Sequence, residues 1–96
     1  MASSMPDNPS LGTANLDNHL RLVQNVDWTA TSLGPMDSWP QELLLLFHLI
    51  SLDPQPRALL LGEERTLLYN YSYGEMVGSR HPGALGSPQR VAFPEA

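Results

Sequence analysis

By type, the residues of this chain best suited to ligating a metal or carrying a phosphoryl group are its three histidines, His19, His48 and His81. A metal site needs donors gathered at short, regular spacing, and none of the three shares such a spacing with another His, Asp or Glu. A phosphoacceptor histidine is exposed beside an acidic residue, whereas His48 lies between Phe47 and Leu49, which predicts a packed histidine. His19 falls on the polar side of a short helix, and His81 precedes a proline. A Ser-His-Asp hydrolase would present a Gly-x-Ser-x-Gly elbow, and the sequence holds none. Gly83 and Gly86 do not open a helix after a strand, so they do not form a phosphate cradle. Adjacent carboxylates occur only at Glu63-Glu64, where a turn makes them a solvated tip. Asn70-Tyr71-Ser72 matches a glycosylation acceptor without a secretory signal, and Ser87-Pro88 is a dipeptide too common to mark a phosphosite. These residues predict no catalytic group, no metal site and no cofactor, hence no enzyme; they name no small-molecule ligand.

Composition narrows the classes further. The chain has 96 residues, enough for one domain that buries roughly two-thirds of its unfolded surface. Ten acidic residues stand against five arginines, with no lysine, and the arginines at 21, 57, 65, 80 and 90 are scattered singly. A surface that tracks phosphates needs clustered cations, so nucleic acid is excluded as a partner. Zero cysteines exclude disulfides and thiolate metal sites and suit a reducing compartment. The start, MASSMPDNPS, has neither the basic nor the apolar region of a signal peptide. The longest apolar run, Leu43 to Ile50, is far short of the roughly 20 residues of a membrane span. A cytoplasmic protein that leaves membranes alone is expected.

The elements that must position these residues are short, as nine prolines and seven glycines require. Residues 1–15 are rich in Ser, Pro, Asn and Gly and read as a disordered tail. Leu16, Leu20, Val23 and Val26 then recur at helical spacing, predicting an amphipathic helix capped by Asn15 or Asp17. Thr29 to Asp37 reads as a loop around Gly34-Pro35. Ser38 with Gln41 resembles a capping box, predicting a helix from about Trp39 to Leu52, stopped by Asp53-Pro54-Gln55-Pro56. That helix is apolar nearly all round, which predicts burial on more than one side. The runs RALLL and TLLYN, joined by Gly62 to Thr66, read as an antiparallel hairpin. Tyr73, Met76 and Val77 suit one or two helical turns ended by Gly78, before a turn near Pro82 to Leu85.

Three blocks of residues resemble one known family. DWTATSLGPMDSWP supplies Asp27, Trp28, Leu33, Gly34, Pro35, Trp39 and Pro40; LLYNYSY supplies Leu67, Leu68, Tyr69, Asn70 and Tyr73; HPGALGSP supplies His81, Pro82, Ala84, Leu85, Gly86 and Pro88. In this order they are similar to the opening of the PAS-type sensor domains of bacterial and fungal hybrid histidine kinases. Leu61 and Phe93 stand where that family has tryptophan, and Arg80 where it has lysine. The resemblance implies an α+β fold, an incomplete PAS-like one: short helices on a two-stranded antiparallel hairpin, over residues 16–96, with the later strands of the family's five-stranded sheet absent. It implies a sensory or interaction module of a two-component signalling protein, without the kinase.

The expected function is therefore non-enzymatic association: a protein partner or homodimer through the Leu43–Ile50 helix or the hairpin edge. The alternatives are a small ligand-binding protein or enzyme whose site has no recognisable motif, and a truncated product with no activity of its own. The two tryptophans, eleven positions apart, are expected to clamp the Gly34-Pro35 loop and fix how the following helix begins.

Overall fold

The first helix, α1, runs from Asp7 to Asn25, starting well upstream of the expected start near Asp17. Pro9 does not oppose this, because proline is tolerated in a first helical turn. The computed structural model describes residues 7–95, and the helix side chains from Asn15 onward. The first six residues of the expected tail thus lie outside the described residues. Asn15 and Asp17 sit inside α1, so neither caps it.

The rest of the chain is α+β, as expected. Two single-turn 3-10 helices, Trp28–Ala30 and Met36–Ser38, flank the Gly34-Pro35 loop and lead into α2, Gln41–Ser51. Strands β1, Ala58–Leu61, and β2, Thr66–Tyr69, form an antiparallel two-stranded sheet in which Ala58 pairs with Tyr69 and Leu61 with Thr66. Helix α3, Tyr71–Val77, ends at Gly78, whose φ of 63° suits a residue without Cβ. A 3-10 turn at Gly78–Arg80 and the short α4, Gln89–Ala92, complete the described chain; α4 had no counterpart in the sequence reading.

The capping box expected at Ser38 does not form. Pro40, in extended conformation, occupies the N-cap of α2, and the Ser38 hydroxyl instead donates to the Pro35 carbonyl at 2.7 Å. A residue before proline is held out of helical space, so Trp39 could not begin the helix. The tryptophans do close the loop. Trp39 donates its indole N–H to Gly34 O at 2.9 Å, Trp28 donates to Val23 O at 2.8 Å, and their rings meet edge to face 5.0 Å apart.

The core lies around β2. Leu67, Leu68 and Tyr69 are buried with Val23 of α1, Trp28, Trp39, Phe47 of α2, Ala84 and Leu85. Gly86, at φ 83°, lets the segment after Leu85 run against this core: a Cβ there would stand 2.6 Å from Val26 Cγ1 and 3.7 Å from the Trp28 ring. Asn70 ties the turns together. Its amide nitrogen donates to Ile50 O, Asp53 O and Gln55 O, while its carbonyl oxygen accepts from the Arg57 and Tyr73 backbone N–H groups. The end of α2, the start of β1 and the cap of α3 therefore meet at one side chain.

Candidate functional site

Two of the three histidines come together. His19 was expected on a polar helix face, but it is 2% exposed. Its Nε2–H donates to the Tyr69 carbonyl at 2.7 Å, docking α1 on β2. With Nε2 carrying the proton, Nδ1 holds a lone pair that is buried without a partner among the described residues. Burial pushes the His19 pKa down, partly offset by the bond to Tyr69. The His81 ring lies 5.7 Å away, and its Nδ1 accepts from the Tyr69 hydroxyl at 2.7 Å. Tyr69 donates reliably because burial, reinforced by Tyr73, pushes its pKa up to about 12. Burial, then proximity to His19, pulls the His81 pKa down. Both imidazoles are therefore neutral near pH 7.

His81 also borders a cleft of about 220 Å³ with Tyr71, Gly74, Glu75 and Gly78. A Cβ at Gly74 would lie 3.2 Å from the His81 ring, so any larger residue there would press the imidazole out of its seat by a few tenths of an ångström or more. At the rim the Tyr71 hydroxyl donates to Glu75 Oε2 at 3.0 Å. No third acidic or sulfur donor joins the two histidines, and no metal-ligating group of three exists among the described residues. The arrangement holds two neutral imidazoles and a phenol whose proton is firmly bound, and no activated nucleophile. The sequence signal for His19 was its spacing: it stands three after Leu16 and four before Val23, within the apolar stripe.

His48 corrects a second expectation: it is exposed rather than packed. The turn of α2 that would have covered it is uncovered along most of its length. Only Phe47 is buried, with Leu43 and Ile50 packed against the core, while Leu44, Leu45, Leu46, Leu49 and Leu52 are exposed, Leu45 at 58% and Leu49 at 56%. Burial on more than one side is thus not achieved within the described chain. Asn70, the glycosylation match, is buried with its amide nitrogen fully engaged. Glu63 and Glu64 are exposed at the hairpin tip, as their turn position predicts.

The two sides of the hairpin differ. Along the outer side of β2, Leu67 N–H donates to Ser87 O, Gly86 N–H to Leu67 O, and Gln89 N–H to Arg65 O, so residues 86–89 strap it. The outer side of β1 carries no such strap among the described residues. No helix there is long and apolar enough to cross a membrane. Comparison with protein-family models, curated proteins and solved structures gave no match to this chain.

Proposed function

We propose that the chain is a non-enzymatic, PAS-like sensory or interaction module that works by association with another polypeptide in the cytoplasm, within two-component signalling. The observation that supports this reading is the row of exposed leucines on α2, continued by Leu52. An apolar helix face of this kind on a small acidic chain is a typical contact surface between proteins. The signalling context rests on the three sequence blocks alone. Sedimentation of the purified chain tests the reading: assembly weakened by Leu45→Glu with Leu49→Glu supports it, and a folded monomer at all concentrations refutes it.

A second reading, a small-ligand binder, draws on the cleft beside His81, where an imidazole, a phenol and a carboxylate converge. Saturable thermal stabilisation by a metabolite, lost in Gly74→Val, would favour it.

A further inference from the structure

The inequality of the two hairpin edges points to a specific contact. Asn70 N–H donates to Arg57 O, so in the antiparallel ladder Arg57, Leu59 and Leu61 face β2, and Ala58 and Leu60 turn their N–H and C=O groups outward. Among the described residues these outward groups meet no hydrogen-bond partner. Strand β1 also lacks the devices that guard an open edge: it contains no charge and no proline, and Leu60 is 44% exposed. An unpaired, apolar edge of this kind is a template for another strand.

We propose that this edge pairs antiparallel with the same edge of a second copy of the chain, about a two-fold axis through Leu59. The proposal rests on the association reading above and narrows it to one contact. Each copy offers two outward donors and two outward acceptors, at Ala58 and Leu60. Setting Ala58 opposite the second copy's Leu60 satisfies all of them mutually, with none left over. The same register places the small Ala58 beside the large Leu60 and sets Leu59 against its own image. Charge agrees with it. Arg57, just before β1, falls opposite the second copy's Leu61, the last residue before the turn at 62–65 that carries Glu63, and the two-fold axis makes that approach twice. Asp53 already holds Arg57 at 2.8 Å on an exposed surface, so Glu63 would join a solvated pair. An unrelated extended peptide would satisfy the amides without bringing a carboxylate-bearing turn up to Arg57.

Sedimentation equilibrium on the full chain tests the proposal across micromolar to millimolar concentration, with circular dichroism confirming that each variant is folded. The wild type is expected to dimerise, and Leu60→Lys to weaken dimerisation at least tenfold. Arg57→Glu and Glu63→Arg should each weaken it, and the double variant should return to within about threefold of wild type. Register is read separately, because the native chain has no cysteine. Leu59→Cys, facing its image in a pair whose Cα atoms stand about 4.5 Å apart, should cross-link under mild oxidation, whereas Leu61→Cys should not. A dimer insensitive to Leu60→Lys but abolished by Leu45→Glu with Leu49→Glu would overturn the edge contact and leave the association reading standing. A chain that stays monomeric throughout overturns both.

Discussion

At the scale of single residues, His19 makes stability depend on pH. It faces Tyr69, Tyr71 and His81, all uncharged at neutral pH, and among the described residues no carboxylate stabilises an imidazolium there. Its folded pKa, like that of His81, lies below the unfolded value near 6.5, so the unfolded chain takes up protons first as the solution is acidified. The contribution is fully present above about pH 7 and is lost as pH falls through 6.5 towards the folded values. Each histidine adds a slope of up to about 1.4 kcal/mol per pH unit. Thermal melts from pH 7.5 to 5 should show Tm falling, and His19→Gln should flatten the fall by about one proton. A flat profile in the wild type would show that the imidazoles are not buried as described. Asn70 is the second residue with a large expected effect. Asn70→Ala removes the partners of five hydrogen bonds and leaves buried groups unpaired, a loss of about 3–5 kcal/mol. Asn70→Asp should be worse, because a carboxylate cannot donate to the three carbonyls that the amide serves. Urea denaturation would rank the two.

Among the elements, α2 separates packing from contact. Phe47 is the side chain it buries, and Phe47→Ala should cost about 3–5 kcal/mol, seen as a drop in Tm of ten degrees or more. Leu45→Glu with Leu49→Glu alters exposed positions and should leave Tm within a few degrees, while it weakens only association that runs through this helix face. Helix, hairpin and α3 with its Gly78 stop were legible in the sequence because each is a local pattern: an apolar run, a turn, a glycine. The start of α2 was misread because Ser38 and Gln41 satisfied a cap motif that Pro40 forbids. The exposure of His48 was not legible either. An all-apolar helix does not reveal which of its faces finds a neighbour, and here the core reached only Leu43, Phe47 and Ile50.

For the molecule as a whole, stability depends on long-range joins that no local pattern announces. His19 reaches Tyr69 across fifty positions, and Gly86 brings the segment after Leu85 against Val26 and Trp28. Gly86→Ala would combine a strained φ of 83° with a Cβ 2.6 Å from Val26, and should destabilise by more than about 2 kcal/mol, read as a lower urea midpoint. The three sequence blocks were legible as blocks; their meeting around β2 was visible only in three dimensions, because sequence spacing carries no information on which buried surfaces close on each other.

The strap of residues 86–89 along β2 has one more consequence. A sheet with two free edges can grow without limit, each added strand exposing a fresh template for the next. Here one flank is already occupied by the chain's own Gly86 to Gln89, within which Pro88 has no N–H to offer. When the strand that adds at β1 is the β1 of a second copy, its far side is that copy's own strapped β2, so the paired hairpins end in two closed flanks and the leucine edge is limited to a single addition.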